Sequence, residues 1–136
     1  MVNISVRYTG ELHCSATHGP SNSELPTDAP ADNMGKGAAF SPTDLVATAL
    51  ATCMATTMGI AAQKHGLDLS GMTVQISKEM SKDAPRRIVR LPAEVHMPLP
   101  QDHPQRELLE NAARHCPVHK SLGPEIERPT KFYWEG

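Results

Sequence analysis

The stretch that decides the fold runs from Ser41 to Gly66 and reads SPTDLVATALATCMATTMGIAAQKHG. Ser41 is a good helix N-cap, Pro42 suits the first helical position, and Asp44 stands three residues after the cap, as a capping box requires. No charged residue occurs between Leu45 and Gln63, and the following KHG combines residue types that favour a helix C-terminus. The pattern predicts one long helix with a defined start and stop.

The interior of this helix is uncharged but only weakly apolar. Most of its residues are Ala and Thr. Its large apolar residues are Leu45, Val46, Leu50, Met54, Met58 and Ile60. A membrane span usually needs a richer apolar composition, so we interpret the segment as a central core helix that is buried on several sides. One of those sides could pack against a second copy of the chain.

Alternating residues before the helix predict strand structure. From residue 4 to residue 16, apolar and polar side chains alternate, which is typical of one half-buried strand. The apolar positions are Ile4, Val6, Tyr8, Leu12, Cys14 and Ala16. The next segment, from His18 to Ala39, is rich in Pro, Gly and Ser, and predicts short edge strands with a flexible connection.

Two further strands are predicted after the helix. Met72–Ser77 and Val89–Met97 both alternate between apolar and polar residues. The segment between them contains Asp83 and Pro85, so an antiparallel hairpin is the economical connection. A closing strand is predicted at Thr130–Glu135, which is rich in aromatic residues.

A second helix is predicted to start near Asp102 and Pro104, with a buried stripe that ends at Cys116. Pro117 disfavours helical geometry at the preceding residue, so the helix should break there. A short helical turn, 117–122, would restart with proline at its first position, which makes Cys116 its N-cap.

Composition limits the possible functions. The 136 residues, 39% hydrophobic and 21% charged, are typical of a single globular domain over 1–136. A net charge of −2 argues against nucleic acid as a partner. The N-terminus lacks the pattern of a secretory signal, so we expect a cytoplasmic protein whose three cysteines are reduced thiols.

Two cysteine segments, FSPTDLVATALATCMATTMG and ARHCPVHKSL, resemble the paired signature of the OsmC-like family, which includes the organic hydroperoxide resistance proteins. The resemblance implies an α+β fold, with an antiparallel sheet around a long central helix, in an intertwined homodimer. It also implies a thiol peroxidase in oxidative or osmotic stress defence. Cys53 would attack a hydroperoxide, Cys116 would resolve the product as a disulfide, and an external thiol would reduce that disulfide, with no cofactor or metal.

The sequence departs from the family pattern in one respect. The peroxidases of the family activate the reactive cysteine with an arginine that a glutamate supports, and Thr43 stands where that glutamate is usual. Arg7 and Lys36 are the candidates for the cation. The rival hypothesis is a non-catalytic member that binds a small apolar ligand or a partner. If the protein is a peroxidase, apolar residues near Cys53 should favour bulky organic peroxides.

Three other features concern the cysteines and their neighbours. The helix dipole alone would favour Cys116 as the thiol with the lower pKa. His115, Cys116 and His119 form an HCxxH cluster, but adjacent residues on a helix point in different directions, so we predict no metal site. Cys14 has no motif around it and is interpreted as a packed strand residue.

Overall fold

A computed structural model describes all residues, 1–136. The chain forms two compact units, Met1–Val46 and Ala47–Gly136, and the boundary between them falls inside the long helix. In chain order the elements are β1 (Ile4–Gly10), β2 (His13–His18), β3 (Glu24–Asp28), α1 (Pro42–Gln63), β4 (Thr73–Ile76), β5 (Glu79–Met80), β6 (Ile88–Arg90), β7 (Ala93–Met97), α2 (Arg106–Arg114), α3 (Pro117–Ser121) and β8 (Thr130–Trp134). The predicted α+β class, with one long helix, is confirmed.

Helix α1 begins and ends where the sequence predicts. The Asp44 backbone N–H donates to Ser41 Oγ at 3.0 Å, and the Ser41 backbone N–H donates to Asp44 Oδ2 at 2.9 Å, so the capping box is complete. Gly66 follows the helix with a φ of +67°, the left-handed conformation that glycine tolerates best. By length and composition alone, α1 could cross a membrane. However, 33% of its most apolar 18-residue stretch is buried inside the protein, and the core helices of many proteins are equally long and apolar.

The first unit contains an antiparallel sheet of order β1–β2–β3. The prediction of one strand from residue 4 to residue 16 is wrong, because the chain reverses between β1 and β2. Glu11 and Leu12 have φ angles of 54° and 63°, which make a tight turn with a right-handed sheet twist. Neither residue is a Gly or an Asn, so the sequence lacks the usual signal for such a turn.

One face of this sheet is apolar and exposed. Residues paired in register lie on the same face, and Val6 pairs with Ala16, which pairs in turn with Leu25. Ile4, Val6 and Tyr8 are 64%, 67% and 63% exposed, so the predicted burial of these side chains is not found within this chain. We call this surface, with Ile4, Val6, Tyr8 and Leu25, the apolar sheet face.

The second unit holds the core. Strands β4 and β7 are antiparallel, while β8 pairs with β7 in parallel, so the sheet pairing is not antiparallel throughout. The predicted hairpin is present but interrupted: β5 and β6 form its outer part, and Pro92 separates β6 from β7. Fully buried side chains come from α1, the β6–β7 connection, β7 and α2, namely Leu50, Met54, Met58, Leu91, Val95, Met97 and Leu109.

Candidate functional site

Cys53 lies in the middle of α1 and is half-buried. Thr57 follows one helical turn later, and its hydroxyl oxygen lies 4.0 Å from the Cys53 sulfur. Leu50, Met54 and Met58 are fully buried, so these three apolar neighbours belong to the core and do not form an open pocket mouth in this chain. The expected preference for bulky organic peroxides therefore stays a prediction.

Cys116 occupies the break between α2 and α3 and is 0% exposed. It is the N-cap of α3, as predicted: its φ and ψ of −66° and 151° are extended, and Pro117 follows at the first helical position. The His119 backbone N–H donates to the Cys116 sulfur at 3.4 Å. The thiol thus replaces the hydroxyl or carboxylate that usually caps a helix.

The structure brings Cys53 and Cys116 close enough for their side chains to interact electrostatically. Burial raises the pKa of the Cys116 thiol, and Cys53 raises it further through hydrogen bonding and like charge. The His119 backbone N–H acts in the opposite direction but does not outweigh burial. The dipole of this five-residue helix, which alone would lower the pKa of Cys116, therefore does not compensate for burial of the thiol.

Arg128 contacts the other end of α3. Its guanidinium Nη1 donates to the carbonyl oxygens of His119 at 2.6 Å and Leu122 at 3.1 Å. Arg128 and His119 also line a cavity of about 500 Å³. Burial lowers the pKa of the His119 imidazole, and the charge of Arg128 lowers it further, so this side chain is neutral at pH 7.

The other predicted residues lie outside this cysteine pair. Lys36 forms an exposed ion pair with Glu11 at 3.8 Å, and Arg7 is exposed on β1. The Thr43 hydroxyl lies 3.2 Å from that of Ser41, within the first turn of α1. A role for Arg7 or Lys36 as the activating cation stays a prediction.

The histidines beside Cys116 point in separate directions. The His115 imidazole Nδ1 lies 2.8 Å from the Asn111 carbonyl oxygen, on the exposed surface of α2, whereas His119 lines the cavity. The structure contains no cluster of three or more His, Cys, Asp or Glu side chains that could hold a metal ion. Cys14 lies in β2, half-buried, between Tyr8 and Thr27 on the neighbouring strands.

A family model for OsmC-like proteins matches residues 35–128, a span that includes both cysteines of the pair. The chain belongs to the OsmC-like family. Among curated proteins, no significant sequence match is found.

Solved structures of OsmC-like proteins share this fold. One, from Psychrobacter arcticus, is described as an osmotic stress induced and detoxification response protein; it is 42% identical, with a TM-score of 0.91, over 98% of this chain and 96% of its own. The organic hydroperoxide resistance protein OsmC of Legionella pneumophila is 16% identical, with a TM-score of 0.72, and the match covers 98% of this chain and 96% of that protein. The organic hydroperoxide resistance protein OhrB of Bacillus subtilis is 17% identical, with a TM-score of 0.67, over 97% of each chain.

Sequence reasoning missed two residues of the site. Thr57 stands four positions after Cys53, a spacing that places two side chains on one helix face, so the helical pattern could have indicated it. Arg128 reaches α3 only because the chain folds back through the segment before β8. No local pattern in the sequence signals that contact.

Proposed function

We propose that this OsmC-like protein is a thiol peroxidase that reduces organic hydroperoxides or hydrogen peroxide in stress defence. The observation that supports it best is the proximity of the Cys53 and Cys116 side chains, which lie far apart in the sequence. Relatives that share the fold are named organic hydroperoxide resistance proteins, which supports the class of substrate. An external thiol serves as the reductant, so the proposed location is the reducing cytoplasm.

The partial exposure of Cys53 and the raised pKa of Cys116 favour Cys53 as the residue that reacts with the peroxide. Cys53 is half-buried, whereas Cys116 is 0% exposed and has a raised pKa. The Cys53 thiolate attacks one peroxide oxygen, the O–O bond breaks, and the leaving alkoxide or hydroxide takes up a proton. The sulfur is thereby oxidised to a sulfenic acid, while the peroxide is reduced to an alcohol or water.

Cys116 then resolves the sulfenic acid. Its sulfur attacks the Cys53 sulfur, the S–O bond breaks, and the hydroxyl group leaves as water with the proton of the Cys116 thiol. An external dithiol reduces the resulting disulfide and is itself oxidised to a disulfide. The cycle needs no metal or organic cofactor, because the electrons pass through sulfur.

The first experiment measures peroxide consumption with dithiothreitol as reductant and tert-butyl hydroperoxide or hydrogen peroxide as substrate. Cys53→Ser should abolish turnover. Cys116→Ser should stop after one turnover with a trapped sulfenic acid, and oxidised wild type should lose about 2 Da as the disulfide forms. Cys14→Ser is the matched control and should keep full activity, because Cys14 lies in β2 and is not one of the two cysteines of the pair.

Three results would count against the proposal. Turnover that survives Cys53→Ser would remove the peroxidatic assignment, and an oxidised product linked only through Cys14 would remove the resolving assignment. A wild type that consumes neither peroxide would favour the non-catalytic alternative, for which Thr43 in place of the family glutamate is the sequence indication.

We also propose that two copies of the chain form a homodimer. The apolar sheet face supports it, because Ile4, Val6 and Tyr8 are each more than half exposed in a single chain. A second observation is the exposed stripe of α1, where Ala49, Thr52 and Thr56 leave room for close approach of another element.

A further inference from the structure

We propose that Arg128 is a positioning residue for the resolving step: it holds α3 in place so that the Cys116 sulfur stays aligned with Cys53. Arg128 touches neither sulfur, and its side-chain hydrogen bonds go to the carbonyl oxygens of His119 and Leu122. The inference rests on the proposed thiol peroxidase function. It assigns Arg128 a role in disulfide formation and none in the oxidation of Cys53.

Helix α3 needs support from outside itself. It contains five residues, Pro117–Ser121, and helices of that length are marginal without tertiary contacts. Its last carbonyl groups have no partner within the helix. One nitrogen of Arg128 donates to two of these carbonyls, at His119 and at the C-cap Leu122, so the guanidinium closes the C-terminal end of the helix.

The backbone that carries Arg128 is fixed on both sides. The Glu127 N–H donates to the Val89 carbonyl at 3.0 Å, and the Glu127 carbonyl accepts from the Leu91 N–H at 2.8 Å. On the other side, the Pro129 carbonyl accepts a hydrogen bond from the first residue of β7 at 3.0 Å. Arg128 therefore extends from a segment bonded to the β6–β7 region and reaches a short helix that has little stability of its own.

The far end of α3 carries the sulfur. The His119 N–H, in the same residue whose carbonyl accepts from Arg128, donates to the Cys116 sulfur at 3.4 Å. Cys116 in turn interacts with the Cys53 side chain. Hydrogen bonds thus connect the β6–β7 region, Arg128, α3 and the Cys116 sulfur, which lies near the Cys53 side chain.

This arrangement affects only the second chemical step. Attack of Cys53 on the peroxide needs no contribution from α3, whereas disulfide formation requires the Cys116 sulfur to approach the Cys53 sulfur in line with the breaking S–O bond. Without Arg128, α3 should fray, and the sulfenic acid should persist long enough for a second peroxide to oxidise it to sulfinic acid.

The test measures the two steps separately in the full chain. Arg128→Gln removes the charge and Arg128→Lys keeps it. The matched control is Arg87→Gln, because Arg87 also donates to a backbone carbonyl, that of Pro85 at 2.9 Å, in the β5–β6 turn. The first step is followed by sulfenic acid formation in a Cys116→Ser background, and the second by disulfide formation with Cys116 present. Thermal unfolding and the amide exchange rate of the His119 N–H are recorded for each reduced variant.

In Arg128→Gln we expect an unchanged first step, disulfide formation slower by at least about tenfold, and sulfinic acid after repeated turnover. Arg128→Lys should recover most of the rate, because an ammonium group also donates to carbonyl oxygens. Arg87→Gln should match wild type in both steps. The His119 amide should exchange faster only in the Arg128 variants, a readout that does not depend on peroxidase activity.

The inference is overturned if disulfide formation is unchanged in Arg128→Gln, or if both steps slow and the melting temperature falls together with faster His119 exchange, as general loss of stability would cause. A wild type that forms no disulfide with peroxide would instead overturn the proposed function, and the role of Arg128 would fall with it. Comparison with wild type therefore distinguishes the two failures.

Discussion

At the scale of single residues, the two cysteines of the pair differ in environment. Cys53 is half-buried beside the Thr57 hydroxyl, while Cys116 is fully buried and receives a backbone N–H. Burial disfavours the thiolate of Cys116 more strongly than the backbone N–H groups of His119 and Val118 stabilise it, so its pKa is raised. This difference suits a resolving thiol, which stays protonated until Cys53 has been oxidised.

The raised pKa predicts a pH dependence for the resolving step. Attack requires the Cys116 thiolate, so disulfide formation should accelerate as pH rises, by up to about tenfold per unit while pH remains below that pKa. The measurement is the decay of the Cys53 sulfenic acid after a single addition of peroxide, from about pH 6 to pH 9. A decay rate that is independent of pH in this range would contradict the assignment. Cys14→Ser should give the same profile as wild type.

At the scale of elements, the capping box of α1 stabilises the helix that carries Cys53. Ser41 is 1% exposed, and its hydroxyl accepts the Asp44 N–H, a hydrogen bond that is lost if the hydroxyl is removed. The neighbouring element α3 relies instead on side chains at both ends, Cys116 at its start and Arg128 at its end. Long helices can be stabilised locally, but short ones depend on tertiary contacts.

We expect Ser41→Ala to lower the free energy of unfolding by about 1 kcal/mol, because it removes the N-cap. The melting temperature should fall by roughly 4 °C for a domain of this size. The control is Thr52→Ala, since Thr52 is exposed within α1 and its hydroxyl donates to the Thr48 carbonyl at 2.8 Å. That change should be close to neutral, because alanine has the higher helix propensity. Equal melting temperatures for Ser41→Ala and wild type would refute the capping argument.

At the scale of the whole molecule, the apolar sheet face is the surface that a single chain leaves uncovered. Three neighbouring positions on β1, Ile4, Val6 and Tyr8, are exposed on one side of the sheet. The opposite side of the same strand carries Ser5 and Arg7. An apolar side and a polar side on one exposed strand support the proposal that the apolar side is covered by a second copy of the chain.

Val6→Lys should therefore convert the proposed dimer into a monomer, because it places a charge in the middle of the apolar sheet face. Analytical ultracentrifugation over a range of protein concentrations measures the result. Ser5→Lys, on the opposite side of β1, is the matched control and should remain dimeric. The proposal is wrong if wild type sediments as a monomer at every concentration, or if the two variants behave alike.

The sequence by itself determined the features that depend on local signals. The limits of α1, the break at Pro117, the N-cap role of Cys116 and the closing strand all follow from residue types within a few positions of each other, and all are found. The family also followed from the sequence, because both cysteine segments lie in the region that the family model matches.

Only the tertiary structure decided the rest. The β1–β2 turn uses Glu11 and Leu12, which adopt left-handed angles without a sequence signal, and β8 pairs in parallel with β7 across a long connection. The raised pKa of Cys116 and the support of α3 by Arg128 also arise from contacts between distant segments. Local propensity contains no information on burial or on which distant groups meet, since packing of the whole chain sets both.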